Sequence, residues 1–396
     1  MLLVDVGDAV SGTGEYARLK ADFYAKALSY MGYSAVGVGD MEARFIRESE
    51  SPEPYGDSVR AVCANVVDAS SGKLIAPQPY IIEKTRSELK VGIISVLGDQ
   101  LVGPWLAETV GIRVLPPAET LRQHLGELRA KSDLVILLSH AGRERSKSLA
   151  TEVPGIDVIL SGHSSGTVQE SPERIGSTLL MATRPSGQYV GKLVLDIGAD
   201  REIAAFTGEY VPMSKDFEDD SKIVGLLAQH NRDLQAYYAA MRAQLARRYP
   251  DQSSRTRGPQ PFVSSLRCRD CHAKEYHSWV STDHAKAFES LRKSNRTADP
   301  ECASCHTTGF KLPGGFTAEA ATPQFRGVQC EVCHGPGVIH ARRPAKGYGA
   351  VLRSSCAQCH DPTRSPEFDY AKYRDRITHK TEGDGGTDTM GTGRPR

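Results

Sequence analysis

The chain has 396 residues, of which 39% are hydrophobic and 24% charged, and its formal net charge at pH 7 is +1. This length allows two or three domains, with enough apolar residues for at least one ordinary core. No stretch of about twenty apolar residues occurs, which excludes a transmembrane helix. Residues 261–396 carry 20 Lys and Arg against 15 Asp and Glu, but the two signs are interleaved, so nucleic acid is not an indicated partner.

The first 212 residues alternate short β-rich apolar runs with amphipathic helices. Helices are predicted at residues 15–31 and 118–131. We predict strands at residues 2–6, 35–38, 59–67, 90–96, 134–138, 158–160, 178–182 and 189–197. Because the later strands look more antiparallel, the predicted fold of residues 1–212 is an α/β layered sandwich rather than a doubly wound dinucleotide fold.

Polar residues follow several of these strands, in the segments VDVGD at 4–8, GDME at 39–42, LSH at 138–140 and SGHS at 161–164. In this order the segments resemble the calcineurin-like metallophosphoesterases, and among them the 5′-nucleotidase branch. The resemblance covers about residues 1–212. It implies a site at strand ends where carboxylate, amide and imidazole groups hold two divalent metal ions, which polarise a phosphate and activate a water.

The resemblance also implies metal ligands in this chain. Asp8 would be the bridging ligand, and Asp40, His140 and His163 would complete the shell of one divalent ion, zinc, manganese or iron. We therefore predict a half-site for one metal. The alternative is that His140 and His163 are ordinary polar residues at strand ends.

The chain departs from the family at several of its functional positions. Asp40 stands where the family has Asn, Met41 stands where it has a catalytic His, and Ser165 replaces a common ligand of the second metal. The Asp-x-His motif of the first strand would lie upstream of Met1, so we expect the natural start, with an export signal, to lie upstream as well. Loss of the catalytic imidazole favours a degenerate scaffold or binding module over an efficient phosphoesterase.

Residues 221–247 form a helix-like run with a seven-residue repeat at Leu227, Leu234 and Met241. This stripe predicts either packing on the chain's own domain or a short coiled coil that would form a homodimer, although Asn231 interrupts the seam. Pro and Gly residues at 249–261 predict a linker, so residues 213–260 are interpreted as helix and linker.

The last third of the chain contains Cys-x-x-Cys-His four times, at residues 268–272, 302–306, 330–334 and 356–360. In this pattern two thiols reach the two vinyl groups of one porphyrin, and the adjacent imidazole binds the iron. We therefore predict four covalently attached c-type haems. Their attachment residues are Cys268, Cys271, Cys302, Cys305, Cys330, Cys333, Cys356 and Cys359, and their proximal ligands are His272, His306, His334 and His360.

A zinc site and a disulfide framework fit the cysteine pattern less well. Zinc ribbons also use paired cysteines, but they do not require a His after every pair. Four identical units in a chain of this length do not resemble a small disulfide scaffold. Only Cys63 lies outside the motifs, and we predict that it is a buried core thiol.

The C-terminal residues 261–380 are predicted to form a mainly α-helical multihaem domain whose porphyrins supply much of its buried surface, and residues 381–396 a disordered tail. Met390 is the only Met of this region, which nearly excludes His/Met ligation and predicts bis-His haems of low potential. Four histidines remain as candidate distal ligands: His277, His284, His340 and His379.

Residues 266–380 also resemble a known family, the tetrahaem cytochrome c of the nitrifiers' hydroxylamine-oxidation pathway. The resemblance rests on Tyr276, Trp279 and His284 after the first motif, on CASCHTTGF at 302–310 and on CEVCHGPG at 330–337 followed by His340. It implies that His284 and His340 ligate haems other than those nearest in sequence, with His379 as a third distal ligand.

His277 is the weakest of the four candidates, because it lies only five residues after His272. In the resembled family the haem of the second motif has no distal protein ligand, and an open iron binds small molecules such as nitric oxide. If the haem of His306 is open here, redox catalysis becomes an option.

Three hypotheses about function follow. The preferred one is a periplasmic electron-transfer protein with redox partner proteins, whose phosphoesterase-like domain is a scaffold or binding module. The alternatives are a bifunctional hydrolase of nucleotide-type phosphoesters and a nitrogen-oxide oxidoreductase at an open haem. An extracytoplasmic location is expected because thioether haem attachment normally takes place outside the cytoplasm.

Overall fold

The computed structural model describes residues 1–10, 14–48, 54–56, 58–103, 107–108, 110–163, 171–183, 187–214, 216–248, 261–310, 312, 314–349, 351, 353–360, 365 and 368–379. The chain divides into two compact units, Met1–His230 and Asn231–Arg396. Most of the predicted linker, the predicted tail and Ser165 lie outside the described residues. None of the helices that the structure describes has the length and apolar character needed to cross a membrane.

The N-terminal unit is built from strands and helices that alternate over most of its length. Its helices are Gly14–Met31, Asp40–Glu48, Pro117–Lys131 and Arg143–Glu152, and Ser221–Arg248 crosses the boundary between the units. Its strands are β1 (Val4–Asp5), β2 (Ala35–Gly37), β3 (Arg60–Val62), β4 (Val66–Asp68), β5 (Tyr80–Lys84), β6 (Lys90–Leu97), β7 (Ile112–Val114), β8 (Leu134–His140), β9 (Val158–Ser161), β10 (Glu173–Ile175), β11 (Thr178–Ala182), β12 (Tyr189–Ile197) and β13 (Ile203–Pro212).

Two sheets form the centre of this unit. One has three parallel strands in the order β1-β2-β3, and the other has six in the order β10-β11-β9-β8-β6-β5. Strands β6, β8, β9 and β11 are parallel to one another, which aligns Leu97 with His140 at the carboxyl ends of β6 and β8. Strands β12 and β13 form a separate antiparallel hairpin.

The two sheets share a hydrophobic core. Ala35 and Val62 of the three-stranded sheet belong to the same buried cluster as Ile93 and Leu138 of the six-stranded sheet. Further clusters lie under the helices, where for example Leu121 and Leu128 pack with Leu137. The sequences of β6 and β8 are nearly continuous apolar runs, as expected for strands that are covered on both faces. The predicted α/β layered sandwich is confirmed.

The observed elements differ from the predicted ones in two respects. The strand predicted at 59–67 is two strands, β3 and β4, because Asn65 interrupts it: its side chain accepts from the Leu97 N–H at 2.8 Å and donates to the Leu97 and Leu115 carbonyls at 2.7 and 2.9 Å. Helices Asp40–Glu48 and Arg143–Glu152 were not predicted. The later strands show both kinds of pairing: β10 with β11 and β12 with β13 are antiparallel, as predicted, whereas β9 pairs with β8 and β11 in parallel.

Cys63 follows β3 directly and is completely buried. Burial raises the pKa of its thiol to about 11, so the thiol stays protonated at neutral pH. The prediction of a buried core thiol is confirmed.

The C-terminal unit contains short helices and little regular β-structure among its described residues. Its helices after residue 260 are Ser265–Arg269, Ala273–Val280, Ala287–Lys293, Pro300–His306, Cys330–His334, Val338–Arg342, Arg353–Ala357 and Tyr370–Ile377. Its buried apolar cluster is small and largely aromatic, with Phe262, Phe288, Phe316 and Phe325 as its largest members. The mainly α-helical fold predicted for this region is confirmed.

Candidate haem and metal sites

Four strand ends of the N-terminal unit place their polar residues at one point. Asp8 follows β1, Asp40 begins the helix after β2, His140 is the last residue of β8, and His163 follows β9. Parallel strands present their carboxyl ends at the same edge of a sheet, so residues far apart in sequence meet there. Ligand atoms of these four residues all lie within 4.8 Å of one another.

His140 occupies the centre of this cluster and is almost completely buried. Its Nε2 lies 3.3 Å from Asp8 Oδ2, 3.4 Å from Asp40 Oδ1 and 3.2 Å from His163 Nδ1. Its Nδ1 lies 3.0 Å from the carbonyl oxygen of Val6, an acceptor that favours a proton on Nδ1. Nε2 is then the nitrogen that faces the carboxylates, as in a metal-binding histidine oriented by a backbone carbonyl.

The electrostatics of the cluster favour a positive charge at its centre. Burial lowers the pKa of His140, but hydrogen bonds with Asp40 and Asp8 raise it, and the result is about 10. Asp40 Oδ1 is buried, and it faces His140 Nε2 at 3.4 Å and His163 Nδ1 at 3.2 Å. A divalent cation would satisfy that oxygen and replace the imidazolium proton, so the residues present fit a metal ion.

The backbone at this site is held in an uncommon conformation. Asp8 and His163 have φ angles of 66° and 53°, a left-handed region that residues other than glycine rarely adopt. Met41, which stands where the resembled family has a catalytic His, is about half exposed. The backbone N–H of Met41 donates to Asp8 Oδ1 at 3.0 Å.

Glu42 anchors the loop that carries Asp8 and was not recognised from sequence. Its buried carboxylate accepts from the N–H groups of Asp8 at 2.8 Å and Gly39 at 2.9 Å, and from the Tyr55 hydroxyl at 2.7 Å. The N–H groups of Ala9 and Val10 also donate to it. Burial raises the pKa of Glu42 to about 7 although these hydrogen bonds oppose the shift. The signal that could have identified Glu42 from the sequence is its position as an acidic residue inside the GDME segment.

The attachment motifs of the C-terminal unit lie on or beside short helices. Three of the proximal histidines have a partner for Nδ1: the carbonyl of Ala287 for His306 at 2.7 Å, the carbonyl of Gly349 for His334 at 2.7 Å, and the hydroxyl of Ser365 for His360 at 2.9 Å. Such partners leave Nε2 available to an iron.

Three proximal histidines are paired with three of the predicted distal histidines. The ring centroids are 6.0 Å apart for His272 and His340, 6.0 Å for His284 and His360, and 6.1 Å for His334 and His379. Two metal–nitrogen bonds of about 2 Å each, with the rings beyond them, would separate two imidazoles on one iron by roughly this distance. The pairs therefore fit bis-His haems.

Burial supports neutral, ligand-competent imidazoles at two of these positions. Burial and the neighbouring His360 lower the pKa of His284, and burial and His334 lower the pKa of His379. Nδ1 of His379 is buried and has no hydrogen-bond partner among the described residues. An imidazole must be neutral to bind iron.

His306 differs from the other proximal histidines. Its ring is held by Ala287 and by Ser290 Oγ at 3.1 Å, and no second imidazole pairs with it in the part of the unit that the structure describes. His277, the fourth distal candidate, is exposed on helix Ala273–Val280 and has its ring beside that of Tyr276 at 5.8 Å. The structure does not bring His277 to His306.

Two attachment sites share one cavity of about 560 Å³. It is lined by residues of the first motif, including Cys268 and His272, by Cys330 and His334 of the third motif, and by His340 and His379. Cys268 and Cys330 are close enough to interact through their thiols. Haems attached at the first and third motifs would therefore be immediate neighbours.

Comparison with known proteins identifies both parts of the chain. The family of cytochrome c554 and c-prime matches residues 267–335. Cytochrome c-554 of Nitrosomonas europaea is 39% identical over 92 residues, which cover 19% of this chain and 39% of that protein. The resemblance of the haem region is confirmed.

The N-terminal part is similar to metallophosphoesterases. The 2′,3′-cyclic-nucleotide 2′-phosphodiesterase/3′-nucleotidase of Salmonella typhimurium is 28% identical over 291 residues, covering 58% of this chain and 43% of that protein. The solved structure of the sulfate thiohydrolase SoxB of Thermus thermophilus shares the fold, with a TM-score of 0.51, 22% identity and coverage of 59% of this chain and 43% of that one.

The chain spans less than half the length of these two curated relatives. It combines an N-terminal domain that is similar to metallophosphoesterases and 5′-nucleotidases with a C-terminal cytochrome c554 domain. The Nitrosomonas relative, a cytochrome, covers 19% of this chain, and the Salmonella relative, a nucleotidase, covers 58% of it. The two relatives therefore bear on different domains of the chain.

Proposed function

We propose that this protein, a metallophosphoesterase-like domain followed by a cytochrome c554 domain, carries electrons through four c-type haems in the periplasm. The cytochrome c554 domain implies multihaem electron transfer and an extracytoplasmic location. When bound, each haem iron supplies a one-electron couple, and bis-His ligation would keep the potentials of the three paired haems below those of His/Met haems. The observation that carries the proposal is the pairing of three proximal with three distal imidazoles at about 6 Å.

Haem counting and electron paramagnetic resonance test this proposal together. We expect four haems per chain, three low-spin ferric signals from the paired histidines and one high-spin signal from the iron of His306. Reduction should proceed reversibly over several one-electron steps. Fewer than four haems, or high-spin iron at the paired sites, would contradict it.

A second function is favoured by the unpaired ring of His306. An iron with one open position binds small molecules such as nitric oxide, so we propose nitrogen-oxide chemistry at this haem as the alternative to pure electron transfer. Nitric oxide added to the reduced protein should bind one haem in four. His277→Ala should leave this stoichiometry unchanged. If His277 ligated the iron of the His306 haem, the wild type would not bind nitric oxide there and the variant would.

We propose that the phosphoesterase-like domain is a scaffold or binding module with a site for one divalent ion at Asp8, Asp40, His140 and His163. The close approach of these ligand atoms supports zinc, manganese or iron as the ion. Hydrolysis of a nucleotide-type phosphoester is the alternative. It would require turnover of such substrates by the metal-loaded protein and loss of turnover in His140→Ala.

The proposed partners are redox proteins that supply and accept electrons. A homodimer through residues 221–247 also stays a proposal: Leu227 is partly exposed on this helix, whereas Leu234 is buried within the chain. Leu227→Glu should convert a dimer to a monomer in sedimentation velocity. A wild-type monomer would rule the dimer out.

A further inference from the structure

Glu331 is a buried acidic residue between the two cysteines of the third attachment motif. Only 4% of it is exposed. Its carboxylate accepts from the N–H of Val263 at 2.9 Å, of Ser264 at 2.8 Å and of Gly337 at 2.8 Å. A buried carboxylate with three backbone donors is held rigidly, because without it those donors would lose their acceptor.

The segments that Glu331 holds lead to the ligands of a different haem. Val263 and Ser264 come directly before helix Ser265–Arg269, which carries Cys268 and is followed by Cys271 and His272. Gly337 comes directly before helix Val338–Arg342, which carries His340. His272 and His340 are the pair at 6.0 Å. His272 and His340, the proposed ligands of the first haem, are therefore both attached to segments that converge on Glu331.

Two further features show that this arrangement is under constraint. Ser264 has a φ of 68°, a conformation that serine rarely adopts without fixed neighbours. The ring of His340 stacks on Tyr348 at 4.3 Å, and the Tyr348 hydroxyl donates to the Gly335 carbonyl at 2.7 Å. Tyr348 thus contacts the ring of His340, the proposed distal ligand of the first haem, and is itself bound to Gly335 just after the third motif.

We propose that Glu331 is a positioning residue for the first haem: it holds the attachment segment and the distal-ligand helix of that haem in register from within the motif of the third haem. The inference rests on the proposed ligation of His272 and His340 to one iron. Its consequence is that the ligation state of the first iron depends on a residue of its neighbour's motif, so the two haems behave as a coupled pair.

The test compares four forms of the full haem-loaded protein by electron paramagnetic resonance. Glu331→Gln keeps the shape of the side chain but places an amide N–H₂ among the three backbone donors. His340→Ala removes the distal ligand directly and defines the high-spin signal of the first haem. Glu275→Gln is the matched control, because Glu275 and Glu331 line the same cavity and both substitutions remove one negative charge.

We expect the spectrum of Glu331→Gln to gain the high-spin signal seen in His340→Ala, while all its other signals stay at wild-type intensity. The spectrum of Glu275→Gln should match that of the wild type. A fully loaded Glu331→Gln protein with an unchanged spectrum would overturn the proposal. If loading is incomplete, mass spectrometry of haem peptides decides: vacancies at Cys268 and Cys271 with the second and fourth motifs filled support it. Vacancies confined to the third motif, or spread evenly, overturn it.

The proposed function is tested separately by the wild-type haem count. A wild type without four haems would defeat the proposed function itself. A wild type with four haems and an unaffected Glu331→Gln variant would defeat only the role of Glu331.

Discussion

His140 lies at the centre of the N-terminal cluster, because its buried Nε2 is within 3.4 Å of carboxylate oxygens of both Asp8 and Asp40. We expect His140→Ala to weaken binding of Zn²⁺ or Mn²⁺ by at least about 100-fold, since loss of even an outer-shell partner costs 10–100-fold. Isothermal titration calorimetry of the metal-free protein measures this. Asp22→Asn, at an exposed helical position, should bind metal as the wild type does. Equal affinity in His140→Ala would show that the cluster holds no metal.

Glu42 determines the stability of the loop under this cluster. Glu42→Ala would leave the N–H groups of Asp8, Ala9, Val10 and Gly39 without their acceptor. We expect it to lower the free energy of unfolding of the N-terminal unit by at least about 3 kcal/mol, because each unsatisfied buried group costs roughly 1–3 kcal/mol. Denaturant unfolding followed by circular dichroism tests this.

Tyr55→Phe is the graded control for Glu42, because it removes one donor of the five and leaves the carboxylate in place. Its cost should be about 1–3 kcal/mol. If Glu42→Ala costs no more than Tyr55→Phe, the carboxylate does not hold the loop.

At the scale of elements, the helix Pro300–His306 of the second motif begins at a capping residue. Asp299 is nearly buried, accepts from the Glu301 N–H at 2.9 Å and pairs with Arg296 at 2.7 Å. Burial raises the pKa of Asp299, but the hydrogen bond and charge of Arg296 lower it more, so the net shift is downward. The cap therefore stabilises the folded state when it is ionised.

Asp299→Ala should reduce the free energy of unfolding by about 1–2 kcal/mol at pH 7, the usual cost of a lost cap. Because the folded pKa is below the unfolded value of 3.8, the stabilisation is present above that pH and is lost as the pH falls through the folded pKa. The difference between variant and wild type, measured by guanidinium unfolding at the Soret band, should therefore shrink below about pH 4. The exposed Asp375→Ala should show no such difference.

At the scale of the whole molecule, the two units differ in how they can be stabilised. Buried apolar clusters lie on both faces of the sheets in Met1–His230, whereas the described cluster after residue 260 has six buried members. Because this core is so small, we expect the region to require its cofactors in order to fold, as small metal-dependent domains do.

We expect protein made without haem attachment to retain a folded N-terminal unit only. Limited proteolysis should leave a protected fragment ending near His230, while the region with the four motifs is digested. The haem-loaded protein should resist in both units. Protection of the C-terminal unit without haem would show that its own core is sufficient for folding.

The sequence predicted regular elements well where the apolar periodicity was strong and poorly where that periodicity was weak. The strands at 178–182 and 189–197 were predicted to the residue. Helix Arg143–Glu152 was missed because its sequence RERSKSLATE has too few apolar residues for a helical pattern, and only Ser146, Leu149 and Ala150 are buried. Its position depends on contacts with the neighbouring strands rather than on local propensity.

The candidate sites show the same division. The residue types and their order in the sequence were enough to predict Asp8, Asp40, His140 and His163 as candidate metal ligands. The left-handed backbone at Asp8 and His163 could not be predicted. Such conformations are imposed by surrounding packing and have no local sequence signal outside glycine.

The sequence alone predicts the number and places of the haem attachments, because Cys-x-x-Cys-His is local covalent chemistry that needs no tertiary contact. It also determined which histidines were left as distal candidates. Only the tertiary structure decided that His340 pairs with His272, His360 with His284 and His379 with His334. The reason is physical: two imidazoles meet on one iron only when segments distant in the chain pack together, and that packing depends on buried groups such as Glu331.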